Sequence, residues 1–230
     1  MTNLFQPNEF DDWAANYDRN VNENSSFPFE GYSSVLQTIV DEADIGPNSS
    51  VLDLGIGTGN LALLFANRGC EIWGLDFSAE MLALAKTKLP NATLGQVDLR
   101  AEWPSSFKRK FDLIVSAYTF HHFPWEQKVG LILDLLNKNL LPGGQLIIGD
   151  IAFRNAEEED ALRCKLGDGW EEEYYWLANE TLAHFKTMNI SIRFIKISYC
   201  AGVFILTSKQ KYSEQLMQKV ITVARVSTTT

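Results

Sequence analysis

The chain is poor in cysteine: 230 residues carry three, at Cys70, Cys164 and Cys200. That spacing supplies neither a paired zinc-binding motif nor a disulfide framework, so reduced, buried thiols are expected. No apolar run approaches the roughly 20 residues needed to cross a bilayer. Met1-Thr2-Asn3-Leu4 also lacks the charged and then apolar opening of a secretory signal, and a cytoplasmic protein is the expectation. Basic residues are in deficit, 20 Lys and Arg against 29 Asp and Glu, for a net charge of −9. Such a balance opposes nonspecific binding to nucleic acid or to an anionic membrane. Lys108-Arg109-Lys110 reads as a short surface turn, not a basic patch. Internal repeats and low-complexity linkers are missing too. With 46% hydrophobic residues, the length suits one α/β domain over residues 1–230.

Glycine is concentrated where it carries chemistry. Val51-Leu52-Asp53-Leu54 is an apolar strand pattern that runs into Gly55-Ile56-Gly57-Thr58-Gly59-Asn60 and then into the helical Leu61-Ala62-Leu63-Leu64-Phe65-Ala66. Glycine is needed where backbone turns sharply or a ligand lies against it. The dinucleotide fingerprint spaces its glycines Gly-x-Gly-x-x-Gly, with the helix N-terminus receiving a pyrophosphate. Here the spacing is Gly-x-Gly-x-Gly, with Asp53 inside the strand as an added acceptor. This favours an amine-bearing nucleotide over a pyrophosphate.

Further strands follow at regular intervals. Glu71 to Asp76 ends in an acid and leads, through Phe77 and a Ser78 cap three residues before Met81, into a helix. An acid at this point holds a ribose diol in nucleotide-binding folds of this kind. Ala92 to Leu99 is a third strand with Asp98 near its end, and Phe111 to Ala117 is a fourth whose continuous apolar character fits a sheet covered on both faces. A Pro142-Gly143-Gly144 turn opens a fifth strand that runs to Asp150. Ile190 to Ser198 and Gly202 to Thr207 are too close for an intervening helix and must pair antiparallel. Seven strands alternating with helices and closing in a hairpin are expected.

The glycine loop, the acids at these distances and the Pro142-Gly143-Gly144 string resemble the class I S-adenosylmethionine-dependent methyltransferases. Together with Trp13 to Asp18, Tyr118 to Phe123 and Glu173-Tyr174-Tyr175, they look most like the YrrT-type methyltransferases, over nearly the whole chain to about residue 208. The resemblance implies a Rossmann-like sheet of strand order 3-2-1-4-5-7-6, the last strand antiparallel, with helices on both faces. It implies S-adenosyl-L-methionine as cofactor and a small-molecule methyl acceptor. The expected cofactor contacts are Asp53, Gly55, Gly57, Asp76, Phe77, Met81, Asp98, Leu99 and Ser116. Asp53 and the loop would hold the amino-acid end, Asp76 the ribose, Asp98 and the Leu99 amide the adenine.

Two segments stand outside the strand pattern. Residues 1–30 carry aromatics at 10, 13 and 17 on one helical face and then a polar stretch, Asn20 to Ser26, suited to a hinge. By the resemblance they form a lid, with Tyr17 reaching the reacting end. Residues 153–188 combine acid runs, which read as solvated helix faces, with dense aromatics; here the resemblance implies a substrate cap in which Tyr174 and Tyr175 touch the acceptor. His121 and His122 follow strand four, near the crevice where open α/β sheets bind ligands. His122 is the candidate general base and His121 a substrate contact. A metal is not expected, because adjacent side chains diverge and no third ligand is placed by the sequence. Pro124 to Leu136 reads as a structural helix, and residues 209–230 as a tail of undetermined role. Two other readings remain at this point: a protein that binds S-adenosylmethionine or its demethylated product without transferring a methyl, and an NAD-dependent oxidoreductase.

Overall fold

The computed structural model describes residues 17–21 and 26–207. A strand covered on both faces needs apolar side chains at successive positions, and β1 (Ser50–Leu54) is buried at all five. Around it lie β2 (Glu71–Asp76), β3 (Thr93–Gln96), β4 (Phe111–Ala117), β5 (Leu140–Phe153), β6 (Trp176–Leu177), β7 (Ser191–Lys196) and β8 (Ala201–Thr207). They form one sheet in the order β3-β2-β1-β4-β5-β8-β7, with β6 paired to β5 off that path. The neighbours from β3 through to β5 are parallel, while β8 runs antiparallel to both β5 and β7. This is the expected order, renumbered by one additional two-residue strand. β6 exists because β5 runs past the end of β4: Ala117 pairs Gly149, and the edge beyond it, Ala152 and Phe153, is taken by Trp176 and Leu177.

Side chains alternate between two apolar layers. Val51, Leu113, Val115, Ile147, Ile151, Val203 and Ile205 face α1 (Tyr32–Glu42) and α2 (Asn60–Ala66). Leu52, Leu54, Ile114, Leu146, Ile148, Phe204 and Leu206 face α4 (Trp125–Asp134) and α6 (Ala178–Thr187). Between them in the chain lie α3 (Ala79–Lys88) and α5 (Ala156–Leu166). The Ser78 hydroxyl caps α3 by accepting from the Met81 amide at 3.2 Å, as the sequence spacing predicts. The Pro142-Gly143-Gly144 turn is a bulge inside β5, not a break before it, because Leu140 already pairs Phe111 before the register shifts. The three cysteines are free; Cys200 is buried, Cys70 half-buried and Cys164 exposed, so burial fails for Cys164. No helix among the described residues is long and apolar enough to cross a membrane. The aromatics at 10 and 13, most of the polar stretch at 22–25 and the tail from 208 lie outside the described residues.

Candidate active site

Strands β1 and β2 deliver the glycine loop. Leu75 at the end of β2 accepts from the amides of Gly55 and Ile56, which bends the chain over the sheet edge. Asp76, nearly buried, then holds the loop from below: one carboxylate oxygen accepts from Gly57 N–H at 2.8 Å, the other from Ser78 N–H at 2.9 Å. Gly57 has φ +53° and open space where a Cβ would project. Gly55 has a different reason for being glycine: at φ +69° its missing Cβ makes room for the Thr119 side chain, not for a ligand.

Asp53 is 1% exposed and its Oδ2 has no hydrogen-bond partner. Burial, with the Asp76 charge added, pushes its pKa well above the usual carboxylate range, against one stabilising amide from Ala62. An acceptor left unsatisfied in this way is unfavourable unless something completes it. It lines a cavity of about 30 Å³ with Tyr17, Tyr32, Leu36, Gly55, Ile56, Gly57, Thr58, Asn60, Leu61 and Ala117, which is room for a water or two. A cationic ammonium group fits this donor-hungry carboxylate, and a carboxylate at the tip of β2 is an acceptor for hydroxyls. These residues therefore fit the amino-acid and ribose ends of S-adenosylmethionine.

The segment at 17–21 closes this cavity from above. Tyr17 is hydrogen-bonded to Tyr32, and burial raises its hydroxyl pKa well above the ordinary value. Asp18 accepts from Thr58 Oγ1 at 2.6 Å, from Asn60 Nδ2 at 3.0 Å and from Lys88 Nζ at 2.6 Å. Lys88 in turn reaches Thr58 and Asn60. The glycine loop, α3 and the N-terminal segment are thus tied at one point, a network the sequence did not signal because its bonded pairs are 28 to 70 residues apart.

On the far side of β4, a 3-10 turn at Phe120–His122 presents both histidines. Asp150 near the end of β5 is fully buried and saturated: its Oδ1 lies 2.5 Å from His121 Nδ1 and accepts from Ile151 N–H, while Oδ2 accepts from His121 N–H and Trp176 Nε1–H. Glu173 bridges the two rings, with Oε1 at 3.1 Å from His122 Nδ1 and Oε2 at 3.4 Å from His121 Nε2. Burial pulls His121 toward the neutral form, but Asp150 and Glu173 override it and its pKa is raised. His122 goes the other way, lowered by burial and by its charged neighbour. Two adjacent imidazoles thereby have their pKa values pushed apart, the arrangement that separates acid and base roles in a site.

The expectation that these side chains diverge is corrected. Their ring centroids are 4.0 Å apart, and ligand atoms of His121, His122 and Glu173 all lie within 4.8 Å of one another. Lys128, read as structural, is 1% exposed on α4. Its ammonium donates to the Tyr174 carbonyl and sits 4.3 Å over the Trp176 ring, and burial lowers its pKa to about 8.

Tyr174 is 41% exposed and holds His121 through its backbone amide, at 3.0 Å, not through its ring. Tyr175 donates its hydroxyl to the Glu171 carbonyl and packs on Phe27, Phe153 and Trp170. Their neighbour Glu173 is the residue of this run whose side chain meets the histidines. Ser116 is fully buried and donates to the Leu54 carbonyl at 2.7 Å, tying β4 to β1 instead of facing the cavity. Met81 and Leu99 are buried and Phe77 is half-buried. Asp98, one turn beyond β3, is held by the Arg100 guanidinium and amide, and those hydrogen bonds keep its pKa below the usual range.

A Rossmann-like sheet with an antiparallel terminal hairpin, a glycine loop after β1 and acids at the tips of β2 and β3 defines a class I methyltransferase. Comparison with known proteins agrees. The sequence profile described as a methyltransferase domain matches residues 51–144. An uncharacterized methyltransferase of Anoxybacillus flavithermus is 32% identical over 200 residues, 80% of this chain and 89% of its own. One from Oceanobacillus iheyensis is 30% identical over 212 residues, 87% and 95% of the two chains. Among solved structures, the DhpI-SAM-HEP complex has a TM-score of 0.66 at 19% identity, covering 86% of this chain and 94% of that one. A Haloferax volcanii methyltransferase solved with the Trm112 activator has a TM-score of 0.68 at 15% identity, covering 90% and 99%; both likenesses speak for the fold. The chain belongs to the methyltransferase family and is an S-adenosylmethionine-dependent enzyme of the class I kind.

Proposed function

We propose that the enzyme methylates a small-molecule acceptor by in-line displacement, with the cofactor across the tips of β1 and β2 and the acceptor between it and the histidine pair. The observation that carries this reading is the buried, unpartnered Asp53 Oδ2 facing the glycine-loop cavity, which matches an ammonium group and has no structural purpose in the sheet. Asp53 and the loop amides hold the amino-acid end, Asp76 the ribose hydroxyls, and Asp98 with the Leu99 amide the adenine edge, flanked by Phe77 and Met81. When bound, S-adenosylmethionine supplies an electrophilic methyl on a positive sulfur. The chain's own work is to align the acceptor, worth about 7–11 kcal/mol in favourable cases, and to keep water out.

His122 takes the acceptor's proton. With Nδ1–H donating to Glu173, the basic lone pair lies on Nε2, and the lowered pKa keeps the ring neutral at neutral pH. Tyr17 stands at the reacting end of the cavity, beside Tyr32. The Asp18 ties to Thr58, Asn60 and Lys88 hold residues 17–21 against the glycine loop and support a lid role for that segment. The net charge of −9 favours a small acceptor over nucleic acid.

Incubating the enzyme and deuteriomethyl-labelled cofactor with a metabolite extract, then finding the labelled product by mass spectrometry, tests the reading. A labelled product lost in His122→Ala supports it. Tight cofactor binding by calorimetry with no product from any extract shows a non-catalytic binding protein instead.

A further inference from the structure

A metal site needs coordinating atoms at the right spacing, an outer partner that orients them and a way in for the ion. The histidine cluster meets each requirement. Glu173 Oε2 is 3.4 Å from His121 Nε2 and Oε1 is 3.1 Å from His122 Nδ1, and one ligand atom from each residue falls within 4.8 Å of the others. Ligand atoms 2.0–2.2 Å from a tetrahedral ion stand about 3.3–3.6 Å apart. The two edges through Glu173 already have that length, so small rotations of the rings complete the triangle. The sequence placed no third ligand beside the histidines because Glu173 stands 51 residues beyond His122.

The outer partner is Asp150. Its Oδ1 lies 2.5 Å from His121 Nδ1 and accepts that nitrogen's proton, which turns the Nε2 lone pair toward Glu173. A carboxylate behind a ligating imidazole is the usual device for fixing ring and tautomer in metal sites. Asp150 is itself fixed by the Ile151 amide and the Trp176 indole. Two carboxylates thus face the cluster against one ammonium, that of Lys128, which is spent on the Tyr174 carbonyl. The His122 and Glu173 side chains keep 18% and 15% of their surface exposed, so an ion can enter from solvent and keep a fourth position open. Two imidazoles and one carboxylate suit zinc and its first-row neighbours, whereas magnesium and calcium prefer oxygen ligands alone.

We propose that His121, His122 and Glu173 bind a divalent transition-metal ion of the zinc kind, and that the bound ion switches off methyl transfer. The second part rests on the base role given to His122 above. A neutral imidazole has one N–H and one lone pair. An ion on Nδ1 uses the lone pair there, and the ring proton moves to Nε2 by exchange with water. Nε2 then donates and cannot take the acceptor's proton. A proton on His121 Nε2 passes to solvent as the ion binds.

The test uses the untagged full chain, stripped with chelator, with zinc chloride and cobalt chloride as probes. Calorimetry is expected to find one Zn²⁺ per chain, and zinc at about 100 times its Kd should raise the Tm by about 5–10 °C. Bound Co²⁺ should show the visible absorption of a four-coordinate site, and methyl transfer in the labelled extract should fall at least tenfold as zinc fills the site. Glu173→Gln and His122→Ala, each shown to be folded by its unliganded Tm, are expected to raise the zinc Kd at least about tenfold. Half-inhibition of Glu173→Gln should need more zinc by the same factor. Cys164→Ser, which removes the exposed thiol, should leave zinc binding unchanged. Zinc affinity that survives both ligand variants, or is lost in Cys164→Ser, overturns the site. Undiminished transfer by the zinc-saturated enzyme overturns the switch. Failure of the wild type to bind S-adenosylmethionine would instead sink the methyltransferase reading, with calorimetry still deciding the metal site.

Discussion

Asp76→Asn is the sharpest test of the cofactor half. The carboxylate accepts from Gly57 N–H of the loop at 2.8 Å and from Ser78 N–H at the start of α3 at 2.9 Å. Its charge is what would strengthen hydrogen bonds from a ribose diol. The amide variant removes the charge and also turns an NH₂ toward one of those two backbone donors, so one anchor is lost whichever way the side chain flips. Charge-assisted hydrogen bonds are worth about 1.5–3 kcal/mol, and their loss raises the cofactor Kd by about 10- to 150-fold. Titration calorimetry on the folded variant, with its unliganded Tm measured alongside, reads this directly. Asp98→Asn serves as the comparison, and because the Arg100 guanidinium already engages that carboxylate, its effect should be smaller. An Asp76→Asn Kd within twofold of wild type, or a larger loss in Asp98→Asn, would refute the assignment of Asp76 to the ribose.

Other consequences follow from the buried charges. Asp53 has a folded pKa raised above the unfolded value of about 3.9, so its contribution to stability is full below that value and is lost as pH rises through the folded pKa. Asp53→Asn should therefore raise the unliganded Tm at pH 8, with the gain vanishing in acid, while weakening cofactor binding; a lower Tm at pH 8 contradicts this. Asp150 is the opposite case: burial works to raise it, but His121 and Lys128 hold it below the usual range, so its stabilisation is present above about pH 3.9 and lost as pH falls through the folded pKa. Removing its charge leaves His121 and Lys128 uncompensated, and Asp150→Asn should cost about 3–5 kcal/mol in urea melts at neutral pH, a loss under 1 kcal/mol being inconsistent with the cluster described. Glu173 raises the His122 pKa by direct contact at 3.1 Å, while His121 stays charged through Asp150. Glu173→Gln should thus move the acid limb of the pH–rate profile, and the His122 NMR titration, to lower pH; an unmoved titration rules out the contact.

The sheet and the glycine loop could be read from the chain because their signals are local. Continuous apolar runs mark β1 and β4, and the acids Asp76 and Asp98 stand at or just beyond strand ends, where position alone gives a role. Gly55 shows the limit of that reading: the sharp turn expected there is present at φ +69°, but the space its missing Cβ vacates is filled by Thr119. The acceptor half was less legible because its contacts are long-range. Lys128 carries no sign in the sequence that its ammonium caps a carbonyl 46 residues later, and Glu173 looks like one more acid in an acid run. Asp150 had a usable signal, since it stands near the tip of β5 as Asp76 stands at the tip of β2. Tyr174 and Tyr175 drew attention as aromatics; Tyr175 packs on Phe27, Phe153 and Trp170, while Tyr174 is exposed and bonds His121 only through its amide.

The two halves meet in six consecutive residues. Ala117 lines the cofactor cavity, Tyr118 turns through a left-handed conformation, Thr119 fills the space beside Gly55, and the 3-10 turn then sets His121 and His122 against Asp150 and Glu173. This run leaves β4 next to β1, where the strand order reverses direction and open α/β sheets form their ligand crevice. An ordinary extended residue at 118 would carry the chain straight off the sheet and take the histidines away from the Asp150 carboxylate. The strain at Tyr118, of order 1–3 kcal/mol for such a conformation, is offset by β5, which supplies both the Gly149 carbonyl that accepts from Tyr118 and the Asp150 carboxylate that accepts from His121. The glycine-loop cavity and the histidine cluster are therefore aligned by one strained turn, fixed at both ends by the same neighbouring strand.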